Sequence, residues 1–392
     1  MRKDWEYKKL GECFHYIKNG ANIKQVKGAG GYPITRIETL SGGVFNRNRM
    51  GYADVYDIEK YQDYILENGD LLLSHINSKS YIGRTVEYRS RNTEIIIHGM
   101  NLLRIKNNSD VISSSFFAYY ANSHKFKSDI ARIRKDAVNQ SSLSITDLKK
   151  IHVPLPPKPT QLAIVAELDK INELIQLKKQ QLKDYDQLAQ SIFYEMFGDP
   201  VENEKGWEVK KLGEVCETSS GGTPSKTHTE YYENGTIPWL RSGEVSQGYI
   251  YDAEIYISEL GLNKSSAKIF PKDTVLIAMY GATVGEVGIL CNPMCTNQAI
   301  CGILPNDLYN SEFLRYVLLS HKDKYLSLAS GGAQPNISQQ IIKSTLIPFI
   351  DKPLQQQFAA RIEAIERQKQ QVSETIKDLE TLLASRMQYW FD

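Results

Sequence analysis

Two long stretches of the chain, residues 160–197 and 354–391, contain neither glycine nor proline and step their seam positions by alternating threes and fours. In the first, Leu168, Ile171, Ile175, Lys178, Leu182, Tyr185, Ala189, Ile192 and Met196 keep the rhythm. In the second, Ile362, Ile365, Lys369, Val372, Ile376, Leu379, Leu383, Arg386 and Trp390 occupy the same places, each 194 positions later. Such spacing holds one narrow stripe on one side of a helix. It predicts two helices of roughly 55 Å each at about 1.5 Å per residue. The polar flanks favour a coiled coil over two helices that each lie on their own domain. Before each helix the pattern is different. Short β-type runs punctuated by glycine and asparagine, such as GTIPWLRSGEV, KDTVLIAMYG and TNQAICGIL, predict strands. An amphipathic helix follows (about 114–131 and 311–329), then a proline-marked strand (IHVPLP, TLIPF). Pro157, Pro159 and Pro353 come next, and proline suits the first turn of a helix, where the missing N–H has no partner to lose.

The order is stated twice. WEYKKLGE begins at Trp5 and WEVKKLGE at Trp207; FFAYYANSHK (116–125) matches FLRYVLLSHK (313–322); NGDLLLSHI matches PKDTVLIAM. The offset drifts slightly while the order holds, as in a tandem duplication with small loop insertions. Each copy is long enough for a domain of its own. The predicted fold is α+β: globular domains at 1–155 and 200–350, joined by helices at 156–199 and 351–392. The first helix leaves domain one and ends at domain two, so a partner helix leaving domain two must run back. An antiparallel pair, a pseudo-twofold axis and neighbouring chain termini are expected.

Composition narrows the function. No apolar run approaches the roughly 18 residues that a membrane span needs. MRKDWEYKKLGE also lacks the apolar centre of a secretory signal, so a cytoplasmic protein is expected. Cys291, Cys295 and Cys301 cluster without paired Cys-x-x-Cys or Cys/His spacing, so they read as reduced thiols in or near strands, and no metal is expected. Net charge is +1, but residues 1–157 carry +8 and residues 200–352 carry −4. The first copy suits a polyanion on electrostatic grounds, and the second does not by itself.

No Gly-rich S-adenosylmethionine turn, adenine-methyltransferase motif or GxxxxGK[ST] loop is present. The glycines of GATVGEVG (281–288) read as a strand turn, and His124 and His321 as structural. Asp4 with Glu6 and Lys8, and Asp199 with Glu208 and Lys210, form a loose Asp…Glu-x-Lys pattern of metal-dependent nucleases, a pattern cheap in so charged a chain. A stand-alone nuclease or methyltransferase and a coiled-coil protein-interaction scaffold are the competing readings. DNA readout fits better. Arg132, Arg134 and Lys135 stand beside Asn139 and Gln140, and Arg47 and Arg49 lie on the loop FNRNRMGY. Arginine reads guanine, amides read adenine and lysine grips phosphate. Lys79 and Arg241 join them, with the Gly-rich polar loops that carry Gly221, Gly222, Thr223, Ser225 and Lys226, and Gln334 and Asn336. Glycine backbone there could approach a sugar–phosphate chain closely.

The run from WEVKKLGEVCETSSGGTPS through IPWLRSGEV, FPKDTVLIAMYGATVGEVGIL, TNQA and GGAQPNIS resembles a target recognition domain of the specificity subunit of type I restriction–modification systems. VPLPPKPTQLAIVAELD, with its helix ending in FGDP, resembles the region joining two such domains. The chain departs from the family pattern at Thr160-Gln161, where Glu-Gln is common, and at NGANIKQVKG in place of SGGTPS. The resemblance implies a non-catalytic reader of double-stranded DNA whose two domains each recognise half of a bipartite site, spaced by the coiled coil. It further implies two methyltransferase partner subunits that carry S-adenosylmethionine, and a motor-endonuclease subunit that uses ATP and Mg. No cofactor is expected on the chain itself.

Overall fold

The structure, a computed structural model, describes residues 5–137, 140–331 and 335–392. Two compact units emerge: residues 1–179 with 374–392, and residues 180–373.

In the first unit, β1 (Glu6–Lys9), β2 (Tyr16–Asn19), β3 (Leu71–Ser74), β4 (Thr85–Glu87) and β5 (Leu102–Lys106) precede α1 (Ser114–Asn122), α2 (His124–Ile133) and β6 (His152–Leu155). The helix α3 (Lys158–Phe197) then begins. Strands β2, β5, β3 and β4 form one sheet in that order, and β1 pairs antiparallel with β6. The opening motif is thus a strand that clasps the proline-marked strand. In the second unit the same grammar returns. It runs β7 (Val209–Lys211), β8 (Thr218–Ser220), β9 (Ile237–Leu240), β10 (Tyr249–Ile250), β11 (Tyr256–Ile257) and β12 (Ile269–Phe270). Then come β13 (Val275–Ala278), β14 (Val287–Leu290), β15 (Met294–Thr296), β16 (Ile300–Ile303), α4 (Ser311–Ser320), α5 (Lys322–Leu328), β17 (Leu346–Pro348) and α6 (Lys352–Phe391). The main sheet order is β8-β16-β13-β14-β10, which repeats the first unit's order and adds one strand. A second sheet, β11-β9-β15-β12, has no counterpart among the described strands of the first unit.

The helix expected over 114–131 is broken in two, and so is that over 311–329. At the first break, Ser123 is extended (φ −69°, ψ 160°) and its hydroxyl accepts from the Phe126 N–H, so one serine ends α1 and caps α2. At the second, His321 takes the bend, its ring nitrogen 2.8 Å from the Val317 carbonyl. The long helices form as expected and pair antiparallel. In the first unit Glu167 meets Arg386, and Lys179 meets Glu380 at 2.8 Å. In the second unit Asp186 meets Lys369 at 2.7 Å. Residue numbers rise along one helix as they fall along the other.

The seam is not uniformly dry. Leu168, Ile171, Ile175, Ile362, Ile365, Val372 and Ile376 are buried, whereas Leu182, Tyr185, Ile192, Leu379 and Leu383 are half-buried. Helix residues outside the seam also pack into the globular cores. Ile164 and Phe391 join the first unit's core, and Phe193, Phe197 and Phe358 the second's. The helices therefore pair with each other and lie on the domains as well. Trp5 and Phe391 meet the same Phe116 ring edge to face at centroid distances of 6.4 and 5.5 Å.

Candidate nucleic-acid interface

In the first unit Arg47 and Arg49 occupy a short 3-10 turn capped by the Asn46 side chain, which accepts from the Asn48 N–H at 3.1 Å. The two arginines differ in employment. Arg47 Nε donates to Glu94 at 2.8 Å, another of its nitrogens reaches the Arg89 carbonyl, and its guanidinium lies over the Phe45 ring. Glu94 also accepts from Tyr88 O–H and Arg91 N–H, and these donors, Arg47 foremost, hold its carboxyl down at about 2. Arg47 pins two loops together, and Arg49 beside it faces solvent.

The second predicted group converges on a small ribbon. Lys135–Asp136 pairs with Ser141–Ser142, which pairs with Ile76–Asn77. Asp136 accepts from Arg134 Nε at 2.7 Å and Ser141 O–H at 2.6 Å, and meets Lys79 at 3.1 Å; Arg134 first, these hold its carboxyl well below the usual range. Arg132 reaches Asp129 and is largely exposed; Lys135 and Gln140 are exposed, and Asn139 lies outside the described residues. Beside the ribbon is a cavity of about 400 Å³ whose lining includes Gly42, Gly43, Lys79, Arg84, Lys127 and Arg134, and no carboxylate. Gly42 and Gly43 hold φ of 73° and 75°, and an added Cβ would meet nothing within 4 Å at either. They leave bare backbone at the rim of a four-cation groove, a setting suited to a phosphate chain. Arg84 and Lys127 were absent from the predicted set. The signal was available for Lys127, one helical turn before Ile130 in α2 and close to the basic run 132–135.

The matching place in the second unit carries a different charge. Glu286 follows Gly285 (φ 80°) as Arg84 follows Gly83 (φ 80°), so a carboxylate stands in the place of a cation, and it holds Lys322 at 2.6 Å. The predicted Gly221 and Gly222 serve the chain's own packing. A Cβ on Gly221 would sit 2.2 Å from the Thr296 carbonyl oxygen, and one on Gly222 2.2 Å from the Ser266 carbonyl carbon. Gly222 N–H donates to Thr296, and its carbonyl accepts from the Trp239 indole at 2.9 Å. This tight crossing shapes a cavity of about 720 Å³ whose lining includes Thr223, Lys226, Trp239, Arg241, Asn297 and Gln298. Three predicted residues come together there with two amides not predicted. Thr223 O–H donates to Gln298, Arg241 is held by Glu254 and Glu244, and Lys226 is exposed. Ser225 bonds Thr227 at 2.8 Å. Asn336 lies elsewhere, closing a loop through paired backbone bonds with Ser330; Gln334 lies outside the described residues. The cavity offers amide, hydroxyl and guanidinium groups over an indole floor, which is base-edge chemistry.

Among the described residues no group of three or more His, Cys, Asp or Glu could hold a metal ion, and no helix is long and apolar enough to cross a membrane. Glu208 pairs with its neighbour Lys210 at 3.4 Å. The five cysteines are free thiols, and burial pushes Cys301 up to about 12.

The family model described as the type I restriction modification DNA specificity domain matches residues 2–184 and again 204–381. The chain belongs to that family. As a member of the type I DNA specificity family, it is 29% identical over 404 aligned residues to a Methanocaldococcus jannaschii chain assigned as the MjaX specificity subunit, covering 97% of this chain and 93% of that one. It is 26% identical over 262 residues to the EcoR124I/EcoR124II specificity subunit of Escherichia coli, covering 62% of each. Its fold is that of a chain from a solved type I restriction–modification complex (TM-score 0.61, 18% identity, 100% and 98% covered). It also matches the S subunit from M. genitalium (TM-score 0.53, 15% identity, 98% and 95% covered).

Proposed function

We propose that this chain reads a bipartite DNA sequence, the first unit taking one half-site and the second unit the other, with α3 and α6 setting the distance between them. The observation that carries the reading is the repeated sheet order, each copy joined to a 40-residue helix, in a chain of a DNA specificity family. A reader with two similar halves suits the approximate dyad of duplex DNA. The four-cation groove of the first unit grips phosphate, with Arg49, Arg132, Lys135 and Gln140 around it, and the amide-lined cavity of the second reads base edges. With Glu286 at the place of Arg84, the second unit takes part of its phosphate grip from partner subunits.

The role is recognition without catalysis. Two copies of a methyltransferase subunit dock on the paired helices and bring S-adenosylmethionine to an adenine turned out of the stack. A motor-endonuclease subunit brings ATP and Mg for restriction. The test is selection from random duplexes by the full chain co-expressed with its methyltransferase subunit. Two short conserved blocks separated by a fixed unspecified gap are expected. A single contiguous block would overturn the reading.

A further inference from the structure

Each copy of the fold carries one glutamine in the first turn of its long helix, and both are sealed from solvent: Gln161 is 1% exposed and Gln355 0%. Gln161 Oε1 accepts from the Ser113 N–H at 2.8 Å, and its Nε2 donates to the carbonyls of Val111 (3.3 Å) and Pro156 (3.0 Å). Gln355 repeats every bond: Oε1 accepts from Asn310 N–H at 2.7 Å, and Nε2 donates to the carbonyls of Leu308 (3.0 Å) and Ile350 (2.7 Å). Ser113 and Asn310 are the N-cap residues of α1 and α4. One primary amide thus ties three things together: the start of the long helix, the start of the domain's main helix and the end of the proline-marked strand.

The partner residues differ between the copies, yet all six bonds run to backbone atoms and survive the change. Only a primary amide supplies an acceptor and two donors at that reach. The other shared contacts between helix and domain have less directional control. Ile164 and Leu168, like Phe358 and Ile362, make apolar contacts, which set no direction. Lys158 and Lys352 also repeat a contact, to the carbonyls of Ser109 and Asn306, but on exposed or half-exposed ground. Elsewhere the copies diverge. Tyr119 donates to Asp169 at 2.6 Å, whereas the matching Tyr316 packs on the rings of Phe193 and Phe358.

We propose that Gln161 and Gln355 are positioning residues that fix the direction in which each long helix leaves its domain, and thereby set the spacer length accepted between the half-sites. The inference rests on the half-site reading above. Neither glutamine touches DNA, so its loss should blur the spacing and leave each half-site's sequence preference intact.

The test uses the full chain with its methyltransferase subunits and duplexes whose spacer is native, one base pair shorter or one longer. The readout is the ratio of off-spacer to native affinity. In Gln161→Met and Gln355→Met that ratio should relax by roughly tenfold toward unity, while a mutated half-site is still rejected. Ile164→Val, which loses packing without a directional bond, should lower the melting temperature and leave the ratio unchanged. Should Gln161→Met fail to fold, Gln355→Met and Ser113→Pro, which removes the N–H that Gln161 accepts, carry the same test. Folded variants with an unchanged ratio, or an Ile164→Val that relaxes it equally, would overturn the proposal. A parent complex indifferent to spacer length would instead bring down the half-site reading, and that outcome requires no variant.

Discussion

Replacing all four cations of the first unit's groove (Lys79, Arg84, Lys127 and Arg134) by glutamine should weaken DNA binding in a salt-dependent way. The size of the effect follows from the local charges. Lys79 and Arg134 share Asp136, so the four cations leave a net charge of about +3 to face phosphate. Each phosphate neutralised on duplex DNA contributes about 0.9 to the slope of log affinity against log salt. The variant's slope should therefore be shallower by about 2.7. Over a fourfold rise in salt, between roughly 50 and 200 mM, the parent should lose about 40-fold more affinity than the variant. Fluorescence anisotropy on a target duplex and a scrambled one, read across that range, measures both slopes. The change should be equal on the two duplexes, since phosphate contacts carry no sequence. A folded variant with the parent's slope would refute the assignment. So would a loss confined to the target duplex, which would make these residues base readers.

Two further outcomes are expected. Phe193→Ala removes a buried ring that meets Phe197, Phe313, Tyr316 and Phe358 at centroid distances of 5.3–6.1 Å, and should cost about 3–5 kcal/mol in chemical denaturation; a cost below about 1 kcal/mol would mean the helix end is not part of that core. Glu94 has its carboxyl lowered from 4.5 to about 2, so its contribution to stability is complete above about pH 4.5 and drains away as pH falls toward 2. Glu94→Gln should flatten that part of the pH–stability curve, and an unaltered curve would show that the Arg47–Glu94 clasp contributes nothing.

Much of this was legible in the sequence because the chain carries its own comparison. Seam residues recur 194 positions apart, and matched strands fall in the same sheet order. What escaped depends on contacts between distant residues. Nothing local marks Arg47 as the partner of Glu94, 47 positions away, so its part in holding two loops together could not be read from the sequence. Gly221 and Gly222 gave a correct signal of close backbone approach, but the approaching chain is Thr296 and Ser266 of the same protein. Ser123 fitted a helical run by composition, but it is extended and its hydroxyl caps the next helix at Phe126. Phe193, Phe197 and Phe358 lay off the heptad stripe because they face a globular core as well as a partner helix.

If each unit reads its own half of the target, damage to one unit's base-reading cavity must leave the other half-site untouched. Mapping methylated adenines in cells that carry the methyltransferase subunit with either the parent chain or Asn297→Ala/Gln298→Ala decides this. A bipartite motif is expected in the parent and a change in one block only in the variant, with the gap and the other block preserved. A variant that alters both blocks, or that leaves both intact while methylation persists, would contradict it.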